Sequence, residues 1–167
     1  NASHRLVGGA VLACAAAAAL CNLMGDWHVG RPLLRRLPLM LYAVYACMAL
    51  GYAFIGTALL AGGPGASAGR HLLTVGAIGL SIYAVICIAG RAHCGHPSDE
   101  RPWVAQGAVL IVGGAVLRAG AAFVPGVTSV LLALAGLCWV AAFGLLCWRI
   151  APVLWRVRPD GLRGCQG

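Results

Sequence analysis

Five apolar runs, each about as long as a bilayer is thick, leave this chain few folds to choose from. A transmembrane helix takes roughly 20 predominantly apolar residues. Runs of that length lie near 6–25, 38–61, 70–92, 103–123 and 128–149. None shows the alternation of a membrane strand, so a β-barrel is not expected. The expected fold is all-α: a polytopic transmembrane helix bundle of about five spans, in a single domain over 1–167.

Turn-forming residues separate the runs. Gly62-Gly63-Pro64-Gly65 follows the second, Pro97-Ser98-Asp99-Glu100-Arg101-Pro102 the third, and Pro125-Gly126 the fourth. Links this short make neighbouring helices antiparallel. Only 10% of the residues are charged and 61% are hydrophobic, against about 25% and 45–50% in a soluble domain. A soluble fold is excluded on that balance. The net charge of +8 comes from 12 arginines and no lysine. They fall in short segments between apolar runs rather than on one basic face, so nucleic acid is not an expected partner; the lipid bilayer is.

The arginines set the expected topology. Arg31, Arg35, Arg36, Arg91, Arg101, Arg149, Arg156, Arg158 and Arg163 fall on one side of the membrane, Arg5 and Arg70 on the other, and Arg118 inside the fourth run. Basic loops stay in the cytoplasm. The C-terminus is therefore expected inside and Asn1 outside. Trp27, Trp103, Trp148 and Trp155 fall near the same interface, where an aromatic belt would place them. Cys14, Cys21, Cys47, Cys87, Cys138 and Cys147 lie inside apolar runs and read as small hydrophobes, not as a disulfide framework. Small residues crowd the third and fourth runs, as in Gly76-Ala77-Ile78-Gly79 and Gly113-Gly114-Ala115, and are expected to let helices approach closely.

Two clusters carry the candidate chemistry. His71 opens the third run. Arg118 lies about 16 residues into the fourth, roughly 24 Å from its start, so antiparallel helices bring the two to similar depth. An ionisable residue inside a span costs several kcal/mol unless paired or solvated, which makes both functional candidates. The bland alternatives are snorkelling to headgroups for Arg118 and backbone hydrogen bonding for His71. An Arg beside a His suits an anionic ligand or the propionates of a haem. The second cluster is His93, Cys94 and His96, just after Arg91, where two imidazoles and a thiol suit copper or zinc. His71 and His96 are 25 residues apart, about 37 Å along one helix, so they cannot be opposite axial ligands of one haem. No P-loop, Gly-x-Ser-x-Gly, His-Glu-x-x-His or dinucleotide fingerprint occurs. The acidic residues Asp26, Asp99, Glu100 and Asp160 lie at or beyond helix ends, which excludes a carboxylate proton relay through the spans. No general base or nucleophile can be named, so no enzymatic reaction is assigned.

The run His71-Leu72-Leu73-Thr74-Val75-Gly76-Ala77-Ile78-Gly79 resembles the His-x-x-Thr-Val-Gly-Ala-x-Gly signature of the NnrS family. Arg91 and Gly95-His96 stand at the spacing of that family's following Arg and Gly-His pair, and Leu117-Arg118 resembles its Leu-Arg. Trp139, Phe143, Trp148, Pro152 and the tail Arg158-Pro159-Asp160-Gly161-Leu162-Arg163-Gly164 are similar to its C-terminal stretch. The similarity covers most of residues 22–164. The family comprises polytopic bacterial membrane proteins containing haem and copper, linked to denitrification and the response to nitric oxide. The resemblance thus implies a protein of the bacterial inner membrane in nitric oxide or nitrosative-stress tolerance. It implies haem and copper as cofactors and His71, His96 and Arg118 as leading site residues, with Arg91, His93 and Cys94 beside them. Tyr42 stands where members carry a span histidine, and Gly95-His96-Pro97-Ser98-Asp99 replaces Gly-His-Thr-Gly-Arg. Nothing matches the Trp-His-x-His-Glu-type cluster of the members' N-terminal half. Together with a start at Asn1, this reads as the C-terminal part of a divergent member, whose partner is the N-terminal half or another membrane subunit. Two other classes fit the residues without the resemblance: a transporter or channel segment for a small solute or ion, and a structural membrane subunit.

Overall fold

The structure, a computed structural model, describes residues 2–26, 30–99, 101–159 and 161, with Ala2 and Ser3 as backbone alone. Five helices are long and apolar enough to cross a membrane. They are α1 (Ala2–Gly25), α2 (Arg36–Ala61), α3 (Gly65–His93), α4 (Pro102–Gly120) and α5 (Thr128–Trp155). No strand occurs among the described residues. The all-α bundle of five spans expected from the apolar runs is thus the observed one.

The helix ends follow local chemistry. α3 starts five residues before the apolar run does, because Pro64 caps its N-terminus and Gly62 and Gly63 turn the chain with φ of 79° and 91°. Only glycine adopts such angles at no steric cost. Pro102 takes the first turn of α4, where its missing N–H would have had no partner. α5 runs six residues past its expected end, straight through Pro152. Proline removes one ladder bond but does not have to end a membrane helix.

α3 is the central helix. α2 and α4 flank it, α1 packs almost entirely on α2, and α5 mainly on α4. In the most apolar stretch of α3, 44% of residues are buried against protein, compared with 17% in α1 and in α5. The outer helices therefore present most of their surface outward, including Leu137, Val140 and Trp148. That surface is apolar all round, as lipid contact requires.

Close helix approach rests on glycine. A Cβ on Gly69 of α3 would strike the carbonyl oxygen of Gly51 on α2. One on Gly56 of α2 would meet the Cys14 sulfur and the Ala10 carbonyl of α1, and one on Gly114 of α4 would lie 3.2 Å from the Ala135 carbonyl of α5. Gly76 sits between Cys47 of α2 and Ala115 of α4. In lipid, where apolar surface gains nothing by meeting apolar surface, such contact is what holds helices together.

α3 departs from α-geometry twice, with π-helical turns at Leu72–Ile78 and Ile86–Gly90. Side-chain hydroxyls bond to the backbone around the first. Thr74 Oγ1 donates to the Arg70 carbonyl at 2.9 Å and Ser81 Oγ to that of Ala77 at 2.7 Å. Hydroxyl groups commonly serve this purpose where a membrane helix is irregular.

Candidate functional site

At the end of the bundle away from most arginines, α3 and α4 meet through small side chains. Ala68 and Leu72 of α3 pack with Ala115 and Ala119 of α4. His71 and Arg118 adjoin this contact, which puts them at matching depth, although no hydrogen bond joins them. The His71 ring is half-buried, with Nδ1 2.7 Å from the Ser67 carbonyl oxygen. A carbonyl only accepts, so Nδ1 carries a proton and donates it there, and Nε2 is left for another partner. Arg118 is also half-buried and lines a groove of about 360 Å³ with Val75 of α3 and Leu132, Ala135, Gly136 and Trp139 of α5. Every ion pair among the described residues involves Asp99, so Arg118 has no acidic partner there. The position and spacing of His71 and Arg118 were legible in the sequence; the carbonyl that holds the imidazole was not.

At the arginine-rich end, α3 stops in a glycine cap. Gly95 takes φ 74°, its N–H bonds to the Ala92 carbonyl, and the His96 N–H bonds to that of Arg91. This is the left-handed Schellman closure. His93 is exposed, and Cys94 and His96 are half-buried. The three do not converge: no group of three His, Cys, Asp or Glu side chains among the described residues could hold a metal ion. The described tail returns to this loop, where Arg158 Nη1 donates to the His93 carbonyl at 2.7 Å.

Beside the cap lies a site that sequence reading passed over. Asp99 is 6% exposed, the one buried charged residue among those described. Its Oδ1 accepts from the Arg101 N–H at 3.0 Å and from Arg101 Nε at 2.9 Å, and its Oδ2 accepts from the Trp103 indole at 3.0 Å. Arg91 Nη1 stands 3.6 Å from Oδ2, and Arg91 Nε donates to the Pro97 carbonyl at 2.9 Å. The Arg101 guanidinium, and then the backbone and indole donors, hold the Asp99 carboxyl well below the usual carboxylate range. Asp99 in turn pushes Arg101 up. Asp99 lies beyond the helix ends, as expected, but the expectation that Trp103 stands in an aromatic belt gives way here. The loop folds inward, and burying an indole N–H requires an acceptor. Trp148, 76% exposed, and Trp155 do face outward, while Trp27 lies outside the described residues. An Asp at i, with donors at i+2 and i+4 around a helix-starting proline, was the signal available in the sequence.

The network reaches into the core. Tyr83 is fully buried and its hydroxyl donates to the Trp103 carbonyl at 3.2 Å. Gly107 leaves the space its ring fills, since a Cβ there would overlap the phenol. Tyr83→Phe is expected to cost about 1 kcal/mol, the worth of one ordinary hydrogen bond, while Gly107→Ala costs more because the ring has nowhere to go. Thermal unfolding of both variants in mild detergent checks the order.

No curated protein and no solved structure matches this chain. The family model described as NnrS protein matches residues 2–158, starting earlier in the chain than the motif resemblance and taking in α1. With the five spans, the His71 run and Arg118 all inside that match, the chain belongs to the NnrS family.

Proposed function

We propose that the chain is a haem-binding NnrS protein of the bacterial inner membrane, with its C-terminus in the cytoplasm, that contributes to nitric oxide tolerance. The observation that carries this reading is the His71 imidazole. Its Nδ1–H is spent on Ser67, which fixes the ring and leaves Nε2 as the ligand atom. Metal-binding histidines are oriented by this kind of second hydrogen bond. Arg118, at the same depth and without a carboxylate beside it, suits an anionic group such as a propionate. Haem, when bound, would supply an iron able to take up nitric oxide. His71 is the imidazole that would hold it, with Arg118 at matching depth. Copper fits less well: His93, Cys94 and His96 suit the ion chemically but do not close around one point. The orientation rests on the arginine count of the loops.

The test is the absorption spectrum of the protein purified with haem. A Soret band is expected in the wild type and its loss in His71→Ala, with helical circular dichroism unchanged. A folded His71→Ala protein with the same spectrum would remove His71 as a ligand.

A further inference from the structure

At the arginine-rich end, α2 and α4 stand apart and leave a groove of about 430 Å³ over α3. Its floor is Met40 and Leu80, both buried, and its walls are Leu39 and Ala43 of α2 and Ala108 and Val112 of α4. Along α4 it runs from Ala105 to Gly113, about 12 Å at the helical rise. That is most of one leaflet, about half of a 30 Å hydrocarbon core. Farther on the groove is shut. Phe54 follows Ala43 by eleven residues, three turns, and so shares its face; its ring lies 5.8 Å from that of Phe123. A whole transmembrane helix would need both leaflets, but an acyl chain needs only one.

The open mouth is positive. Arg36 lines the groove and Arg35 is next to it, both exposed and neither in an ion pair among the described residues. Two helices also start there, α2 at Arg36 and α4 at Pro102, so their positive dipole ends flank the same point. α2 has no side-chain cap to occupy its free N–H groups. An apolar slot one leaflet long, ending in two guanidinium groups and two helix N-termini, has the shape and charge of a phospholipid with an anionic headgroup. We propose that this groove binds an anionic glycerophospholipid of the arginine-rich leaflet, with one acyl chain between α2 and α4 and the phosphate at Arg35 and Arg36.

The experiment is retention of lipid by the full chain, reconstituted in vesicles of equal phosphatidylglycerol and phosphatidylcholine, extracted in mild detergent and washed. Phosphatidylglycerol is expected to stay at stoichiometric amount while phosphatidylcholine washes away. Arg35→Gln with Arg36→Gln is expected to weaken retention about thirty-fold, the effect of two arginines at a lipid phosphate. Ala108→Leu, which fills the slot and leaves the arginines, is expected to abolish it. Equal retention of phosphatidylcholine, unchanged retention in either variant, or a stable dimer that Ala108→Leu breaks would overturn the proposal.

Discussion

Asp99→Ala is expected to destabilise the protein by about 3 kcal/mol or more. Removing one partner of a buried ion pair leaves the other uncompensated, which typically costs 3–5 kcal/mol. The cost falls unevenly on the donors left behind. The Arg101 side chain is 58% exposed and regains water, whereas that of Arg91 is only 11% exposed. The Trp103 indole, 3% exposed, loses its acceptor in the interior. Arg101→Ala should cost less than Asp99→Ala, because the buried carboxylate keeps the residue-101 backbone N–H, the Trp103 indole and Arg91. Unfolding of the three proteins in detergent gives the order directly, and equal losses in both variants would show that the Asp99–Arg101 pair alone matters. The pH dependence has a definite sign. The native carboxyl binds its proton more weakly than the unfolded one does, so its contribution is complete above the ordinary carboxylate value near 4. It is lost as pH falls from there toward the lowered native value. The melting temperature of the wild type should drop between pH 6 and pH 3, and that of Asp99→Asn should drop less.

The second large effect is expected at Gly69. A valine there would drive its Cβ against the Gly51 carbonyl oxygen and to within 2.7 Å of Ile55 Cγ1 and 3.0 Å of the Ile55 nitrogen. Two of those three atoms are backbone, so no rotamer change relieves the clash and α2 must move off α3. Overpacking of a rigid contact costs 1–3 kcal/mol or more, and here the whole helix pair is at stake. Gly113→Ala and Gly136→Ala are the controls, because nothing lies within 4 Å of a Cβ at either position. They should be neutral or stabilising by up to about 1 kcal/mol through helix propensity. Trapping by size-exclusion chromatography separates the outcomes: aggregation of Gly69→Val alone supports the close contact, and a monodisperse Gly69→Val protein removes it.

What the sequence displayed was the layout along the membrane normal. Apolar length marks spans because every backbone group in lipid must be bonded within its own helix. The start of α3 escaped this reading because Ser67, Arg70 and His71 dilute its first turns, while Pro64 acts locally and not through hydropathy. His71 and Arg118 share a depth for the simple reason that α3 and α4 are antiparallel. The partners of Asp99 are a different matter. They depend on how Asp99 and Arg101 turn in beside Trp103, and on the room that Gly107 leaves for Tyr83, neither of which has a period to read. The positive mouth of the α2–α4 groove was visible as an arginine pair, but the groove itself arises only from the divergence of two helices that are not neighbours in sequence.

The π-turns of α3 bear on how the chain can change in length. A π-turn holds one residue more than the α-turn it replaces. A single deletion within Leu72–Ile78 can therefore be absorbed by converting that turn to α-geometry, with both flanks kept in register. The same deletion in α4 has no such slack. It would rotate everything beyond it by about 100°, and Arg118 would leave the groove it shares with α5. The helix with the least free surface is thus the one best able to lose a residue.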